Sequence, residues 1–184
     1  MDKIGFFFGT ETGTTRLVAK KLYKLIGDER IAKPVNVNRI TAEEFLQYDA
    51  YILGTPSYGV GEIPGLAAGC LEKNWAEFLA QLGSPDLSGK RIAMFGLGAQ
   101  ERYAERFASS LKALHDVFAG LGAEMIGQWQ NEGYEFENSA ALVNDKFVGL
   151  VIDQRTQSMF TDERLKAWIA DVLPALEAKL TDTV

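Results

Sequence analysis

The sequence has very few residues of the types that bind metals or form disulfides: one cysteine, Cys70, and one histidine, His115, among 184 residues. One cysteine cannot pair within the chain, and a zinc site needs several clustered Cys and His ligands. A Ser-His-Asp mechanism would depend on His115 alone, and no G-x-S-x-G motif accompanies it. We therefore exclude such sites and interpret Cys70 as a small buried thiol and His115 as an ordinary helix-face residue.

Long apolar runs and an excess of positive charge are also missing. No run approaches the ~18 residues of a membrane-spanning helix. The 19 Lys and Arg against 25 Asp and Glu give a formal net charge of −6, which argues against nucleic acid or an anionic membrane as a partner. The N-terminus leads directly into a strand-like run with no signal peptide. We expect a cytoplasmic protein with one domain over residues 1–184.

The apolar stretches are short and alternate with helical patterns. Runs without polar alternation fit strands that are covered on both faces. They are residues 4–8, 51–53, 92–95 and 147–152, with 35–38 as a weaker edge strand and 125–126 as the start of the last strand. Strands that alternate with helices over the whole chain predict a doubly wound α/β sheet.

Three segments have apolar residues at helical spacing: residues 14–27, 103–120 and 161–180. In the first, Leu17, Leu22, Leu25 and Ile26 are expected on the buried face. In the last, Thr161 is the expected N-cap, and Pro174 is expected to kink the helix or end its regular part.

Residues 128–147 interrupt this rhythm with a polar, acidic stretch that contains Trp129, Tyr134 and Phe136. We interpret it as an insertion near or within the last strand. Its aromatic residues either anchor the insertion to the body of the protein or bind a ligand, and we favour anchoring.

The segment after the first strand, which opens the first predicted helix, is rich in threonine and glycine: Thr10, Glu11, Thr12, Gly13, Thr14 and Thr15. Free backbone N–H groups and the helix dipole make such helix starts anion sites, and Gly13 permits close approach. The alternative is a threonine-rich N-cap turn. Because the lysine of G-x-x-x-x-G-K-[ST] is missing, we predict neutral donors for one phosphate monoester instead of a triphosphate site.

Two further loops follow the third and fourth predicted strands and should meet at the same edge of the sheet. The second loop contains Thr55, Pro56, Ser57, Tyr58, Gly59, Val60 and Gly61, and the third contains Leu97, Gly98, Ala99 and Tyr103. Each loop has glycines for close approach and one tyrosine. A planar ring stacked between the two tyrosines is the predicted ligand.

Together these motifs resemble the flavodoxin family, over essentially the whole chain. Residues 10–15 resemble T-x-T-G-x-T, the other two loops resemble the flavin-binding loops, and residues 129–136 resemble the insertion of the long-chain subfamily. Residues 32–39, 54–56 and 63–66 look most like flavodoxins that serve nitrogen fixation. The resemblance implies a five-stranded parallel sheet of order 2-1-3-4-5 with helices on both faces.

It also implies a low-potential one-electron carrier, not an enzyme, that holds FMN non-covalently and works on its semiquinone/hydroquinone couple. A reductase would be the donor and an enzyme such as nitrogenase reductase the acceptor. Their contacts would be transient and salt-sensitive, and the carrier a monomer. Glu62, Glu101 and Glu105 are candidates to steer basic partners, although a merely soluble acidic surface is the simpler interpretation for each. The alternative is an FMN-dependent NAD(P)H or quinone reductase on the same fold.

By match to the family, residues 10–15 hold the phosphate and Ser57 adds a hydroxyl. Tyr58 stacks on the inner face of the flavin and Tyr103 on the outer face. The backbone of Leu97, Gly98 and Ala99 meets the pyrimidine edge, and the peptide of Gly59 turns on reduction.

Two positions depart from the family pattern: Ala99 replaces an aspartate, and Arg155 replaces the second aspartate of Asp-x-Asp. Arg102 and Arg106 flank Tyr103 and, with Arg155, make the local potential less negative. The acidic balance of the chain nevertheless leads us to expect a low second potential, since like charge disfavours an anionic reduced flavin.

Overall fold

The computed structural model describes residues 2–59 and 61–182, so Val60 of the second predicted loop lies outside the described residues. Its centre is a parallel sheet of strands β1 (Gly5–Phe8), β2 (Val35–Asn36), β3 (Ala50–Thr55), β4 (Arg91–Leu97) and β5 (Glu124–Ile126). The strand order is β2-β1-β3-β4-β5, as the family resemblance implied. All residues of β1 and β3 are buried, which explains their unbroken apolar runs.

Helices cover both faces of this sheet. They are α1 (Thr14–Ile26), α2 (Ala42–Leu46), α3 (Trp75–Leu82), α4 (Ser110–Gly120) and α5 (Thr161–Thr181). One face packs against α1 and α5, with Leu22 and Trp168 in its core. The other face packs against α2, α3 and α4, with Phe45, Trp75 and Leu111 in its core. The predicted doubly wound architecture is therefore confirmed.

The helices differ from the sequence predictions in several details. In α1 the core contacts come from Val18, Ala19, Leu22 and Ile26, whereas Leu17 and Leu25 are 45% and 41% exposed. The next predicted helix starts seven residues later than expected, at Ser110. Ala108, which precedes it, has φ = 52°, and this left-handed conformation cannot continue an α-helix. The sequence analysis did not identify α2 and α3.

The last helix closely matches the predicted residues, but its N-cap differs from the prediction. Its N-cap is Phe160, and Thr161 is the first helical residue, whose hydroxyl donates a hydrogen bond to Gln154 Oε1 at 2.6 Å. The helix does not end at Pro174 but continues to Thr181.

The fifth position of the sheet is built from two separate segments. Strand β5 pairs with the start of β4, at residues 91–93, and β9 (Leu150–Ile152) pairs with its end, at residues 95–97. The intervening insertion forms a three-stranded antiparallel sheet of β6 (Trp129–Gln130), β7 (Leu142–Val143) and β8 (Lys146–Phe147). The prediction of one strand over 147–152 was therefore wrong, because this apolar run serves two sheets.

Aromatic packing fixes the insertion to the body of the protein. The ring centroids of Tyr134 and Phe136 lie 5.7 Å and 5.1 Å from that of Phe107. The Tyr134 hydroxyl donates to the carbonyl of Val151 at 2.6 Å, and the guanidinium of Arg164 stacks on the Tyr134 ring at 4.1 Å. These contacts support anchoring as the role of the aromatic residues.

Candidate functional site

The three predicted loops meet at the carboxyl edge of the sheet and line one cleft of about 650 Å³. Twelve of the sixteen predicted site residues line it: Glu11, Thr12, Thr14, Pro56, Ser57, Tyr58, Gly59, Gly61, Leu97, Gly98, Ala99 and Tyr103. The other four, Thr10, Gly13, Thr15 and Thr55, are not among the lining residues. The cleft is therefore built from the loops that the sequence indicated.

The four remaining residues shape the backbone around the cleft: Thr10 and Gly13 precede α1, Thr15 lies in its first turn, and Thr55 is the last residue of β3. Gly13 is the N-cap of α1 with φ = 91°, a conformation that favours glycine. The hydroxyl of Thr10 accepts a hydrogen bond from the Gly13 N–H at 3.1 Å. Thr55 is fully buried in β3, and its hydroxyl donates to the carbonyl of Pro56 at 2.9 Å. Thr10, Gly13 and Thr55 thus act on loop geometry in this structure.

Two buried hydroxyl groups in these loops have no hydrogen-bond partner within the described residues: Oγ1 of Thr15 and Oγ of Ser57. Thr15 lies in the first turn of α1 and is 1% exposed, and Ser57 lines the cleft. A buried polar group without a partner is costly, so one unsatisfied hydroxyl at the start of α1 and one in the second loop indicate a polar ligand. Both hydroxyls fit a phosphate group, which accepts hydrogen bonds from neutral donors.

Asn74 contacts the loop of residues 10–15, the predicted phosphate loop, from outside it. Its side-chain amide donates to the carbonyl of Thr10 at 3.1 Å, while its Oδ1 accepts from the N–H of Trp75 at 2.9 Å. Asn74 is also the N-cap of α3, in a capping box with Glu77. The sequence analysis missed this residue, although the N-x-x-E pattern before an apolar segment is a recognised helix-start signal.

Ser110 holds the second loop at the start of α4. Its hydroxyl accepts from the N–H of Tyr58 at 3.1 Å and donates to the carbonyl of Glu62 at 2.7 Å. Within the loop, Gly59 has φ = 58°, and the N–H of Gly61 donates to the carbonyl of Tyr58 at 3.1 Å. Ser110 is fully buried, so it is a positioning residue for the loop that the sequence analysis did not identify.

Asp153 joins the third loop to the segment after β9. This buried carboxylate accepts from the N–H of Gln100 at 3.0 Å and from the N–H groups of Arg155 and Thr156 at 3.1 Å and 2.9 Å. Gln100 in turn accepts from the N–H of Glu135 in the insertion at 3.0 Å. The insertion therefore supports the cleft indirectly, through Gln100.

The cleft also has five lining residues outside the predicted site set: Arg102, Arg106, Ala108, Gln154 and Arg155. The sequence analysis noted the three arginines as neighbours but assigned them no contact. Gln154 and Arg155 follow β9, whose place in the sheet was not resolved from the apolar run. Ala108 carried no sequence signal that distinguished it from a helix residue.

Cys70 lies near the cleft but does not line it, and it is 6% exposed. Burial, followed by the nearby carboxylate of Glu11, raises the pKa of its thiol to about 11. A raised pKa keeps the thiol neutral at pH 7, so we expect Cys70 to be alkylated slowly at that pH. The rate of alkylation should rise about tenfold per pH unit up to pH ~10. A rate of iodoacetamide labelling that levels off near the ordinary pKa of ~8.5 would contradict this. Glutathione is the reference thiol.

The described residues carry no group of three or more His, Cys, Asp or Glu side chains placed to hold a metal ion. Nor does any described helix combine the length and apolar character that crossing a membrane requires. A parallel sheet of order 2-1-3-4-5, with a threonine-rich loop after β1 and tyrosine-containing loops after β3 and β4 lining one cleft, defines the class of doubly wound α/β proteins with a ligand cleft at the carboxyl ends of the strands.

Comparison with known proteins identifies the family within this class. The family model for flavodoxin matches residues 6–168. A flavodoxin of Klebsiella pneumoniae is 48% identical over 172 residues, covering 94% of this chain and 97% of that protein. A flavodoxin of Synechocystis sp. is 35% identical over 178 residues, covering 97% of this chain and all of that protein.

A solved structure agrees with these relatives. The crystal structure of Fusobacterium nucleatum flavodoxin bound to flavin mononucleotide superimposes with a TM-score of 0.82 at 30% identity, covering 95% of this chain and 98% of that one. The chain belongs to the flavodoxin family. Flavodoxins are electron-transfer flavoproteins that use FMN and work with partner proteins, and they are not enzymes.

Proposed function

We propose that this chain carries single electrons between partner proteins on one FMN held non-covalently in the cleft. The two partnerless buried hydroxyls, Oγ1 of Thr15 and Oγ of Ser57, carry the proposal because they are donors with no acceptor among the described residues. A phosphate group at the start of α1 would satisfy both. When bound, FMN supplies the redox chemistry, and the protein binds it, orients it and adjusts its potential.

The predicted site residues take complementary roles. Residues 10–15 supply backbone N–H groups and hydroxyls to the phosphate, with Thr10 and Gly13 shaping the turn. Tyr58 and Tyr103 hold the ring system on its two sides, since both line the cleft. The backbone of Leu97, Gly98 and Ala99 faces the edge of the ring. A side chain at position 98 would meet the Phe107 ring at 2.7 Å, which explains why glycine stands there.

Gly59 and Ser110 together govern the second loop. Gly59 has the positive φ that lets its peptide change orientation, while Ser110 fixes the flanking N–H of Tyr58 and carbonyl of Glu62. Ser110 thereby holds the loop on both sides of Gly59. Such a loop presents a backbone group to the ligand without loosening the rest of the cleft.

FMN binding is tested with the purified apoprotein. Titration with FMN and with riboflavin, followed by flavin fluorescence, should give much tighter binding of FMN, because only FMN has the phosphate. Equal affinities would contradict the assignment of residues 10–15. A protein that binds neither flavin would overturn the proposal itself.

The carrier function is tested with the FMN-loaded protein. We expect NADPH alone to leave the flavin oxidised, and NADPH with a catalytic amount of a flavodoxin reductase to reduce it. Rapid bleaching by NADPH alone would favour the alternative of an NAD(P)H or quinone reductase.

The finer assignments extend the same proposal. We propose that the carrier is a cytoplasmic monomer with one domain. We also propose that its acceptor is nitrogenase reductase, which the resemblance of residues 32–39 supports. Nitrogenase turnover with the reduced protein as sole electron donor tests the acceptor. Failure to support turnover, in an assay where a known donor succeeds, would remove the nitrogen-fixation assignment and leave the carrier function intact.

A further inference from the structure

The wall of the cleft carries charge of the opposite sign to the chain as a whole. The charged side chains that line it within the described residues are those of Glu11, Arg102, Arg106 and Arg155. Three positive groups and one negative group thus surround the cleft in a chain of net charge −6. At physiological salt, exposed charges beyond ~8–10 Å are largely screened, so the potential in the cleft depends mainly on nearby groups. The carboxylates of Glu62, Glu105 and Asp153 also lie close to lining residues, and the three arginines offset this local negative charge.

Two of these guanidinium groups lie against Tyr103, the residue expected on the outer side of the ring. The Cζ atoms of Arg102 and Arg106 are 5.5 Å and 5.1 Å from the centroid of the Tyr103 ring. Arg106 has one distant carboxylate contact, 3.7 Å from its Nη1 to Oε1 of Glu105, and its Nε is buried without a partner among residues 2–59 and 61–182. Most of the charge of the pair is therefore not neutralised by carboxylates.

Arg155 approaches the cleft from the segment after β9. The buried Asp153 accepts a hydrogen bond from its backbone N–H at 3.1 Å, which fixes the turn that presents this residue. The side chain of Arg155 is exposed and forms no ion pair with the described residues. The carboxylate of Asp153 itself accepts hydrogen bonds from backbone N–H groups and from the hydroxyl of Thr156.

We infer that Arg102, Arg106 and Arg155 stabilise the negative charge that the flavin gains on reduction and so raise the potential of its second electron. This inference rests on the proposed function. The first electron, taken up with a proton, adds no net charge to the ring, whereas the second adds one negative charge. Nearby positive groups favour the charged form, so the second step responds to the arginines more than the first. The low second potential expected from the acidic composition is accordingly offset at the site.

The test is a potentiometric titration with dithionite of the FMN-loaded wild type, the variants R102Q, R106Q and R155Q, and the triple variant. We expect each substitution to lower the equilibrium constant of the second reduction on the order of tenfold, equivalent to about 59 mV for a one-electron step. The first potential should move much less. R106K, which keeps the charge, should retain the wild-type second potential.

The matched control is R30Q. Arg30 is a surface arginine beside Ile4, which precedes β1, so it lies at the end of the sheet away from the cleft. Its replacement changes the net charge by the same amount as the replacement of one cleft arginine. A shift of the second potential in R30Q as large as in R106Q would assign the effect to overall charge and overturn the inference.

The affinities for FMN and riboflavin, measured on the same variants, separate the remaining outcomes. If the wild type binds no FMN, the proposed function itself fails. If every variant binds FMN and the triple variant keeps the wild-type second potential, only the inference about the arginines fails. A triple variant that loses FMN affinity but not riboflavin affinity, at an unchanged potential, would assign the arginines to the phosphate and also overturn it.

Discussion

Replacing Thr15 by valine is expected to weaken FMN binding by about 10–100-fold while making the apoprotein more stable. Hydrogen bonds to charged groups contribute roughly 1.5–3 kcal/mol, which corresponds to this loss of affinity. In the protein without ligand, the hydroxyl of Thr15 is buried and has no partner among the described residues, so its removal relieves a penalty of roughly 1 kcal/mol. Valine has nearly the same shape and keeps the packing of this residue, which is 1% exposed.

The measurement pairs a fluorescence titration with urea unfolding of the apoprotein. Thr181→Val makes the same chemical change at an exposed position on the last turn of α5, where the hydroxyl donates to the carbonyl of Ala178 at 2.9 Å. It should leave FMN affinity unchanged and should not stabilise the apoprotein. Riboflavin affinity should stay near the wild-type value in both variants. A Thr15→Val protein that binds FMN as tightly as the wild type would show that this hydroxyl is not a phosphate ligand.

The parts of the site that could be predicted are local in sequence. Thr10 to Thr15 follow a buried strand and open a helix, so composition and position together indicate an anion site. The two tyrosine loops follow from the rule that carboxyl ends of parallel strands share an edge. In each case the signal lies within one short segment and requires no knowledge of how distant segments pack.

The residues that were missed act between segments far apart in the chain. Asn74 contacts Thr10 across 64 positions, Ser110 contacts Tyr58 across 52, and Asp153 contacts Gln100 across 53. A single sequence contains the side chains for these bonds but not the approach of their partners. Asn74 alone carried a local signal, its capping box, and that signal indicates a helix start without indicating which loop the amide will hold.

The apolar pattern gave a wrong strand prediction where a single apolar run contributes to two different sheets. Residues 147–152 are uniformly apolar, yet Phe147 belongs to the antiparallel sheet of the insertion and Leu150 to the central sheet. Between them, a Cβ atom at Gly149 would lie 2.3 Å from the carbonyl oxygen of Met94, so the backbones approach too closely for a side chain. An apolar run indicates that its residues are buried, but it does not indicate which sheet they join.

Replacing Trp75 by alanine is expected to cost the apoprotein roughly 3–5 kcal/mol of unfolding free energy. Trp75 is fully buried at the start of α3, with the rings of Phe78 and Phe118 at 5.9 Å. Its indole N–H donates to the carbonyl of Gly54 at 2.9 Å, which connects α3 to the end of β3. Truncation removes the largest side chain of this core face and leaves a cavity that the surrounding strands cannot fill.

Trp75→Phe separates packing from hydrogen bonding. The carbonyl of Gly54 also accepts from the N–H of Gly9 at 3.0 Å, so the phenylalanine variant leaves no orphaned acceptor and should lose only about 1–2 kcal/mol. Urea unfolding of the apoproteins, with m values compared to confirm a common transition, measures both changes. A loss in Trp75→Ala no larger than in Trp75→Phe would assign the contribution of Trp75 to its hydrogen bond and contradict the cavity estimate.

The same variant tests whether the cleft and the core belong to one cooperative unit. A ligand that binds only the folded state at about a thousand times its Kd stabilises a protein by about 4.1 kcal/mol. FMN at that multiple of the variant's own Kd should therefore restore Trp75→Ala to about the stability of the wild-type apoprotein. If FMN protected the variant's cleft but left its unfolding midpoint unchanged, the loops would unfold separately from the core. Because Trp75 contacts Gly54 at the end of β3, which leads into the second loop of the cleft, we expect a single transition and full recovery.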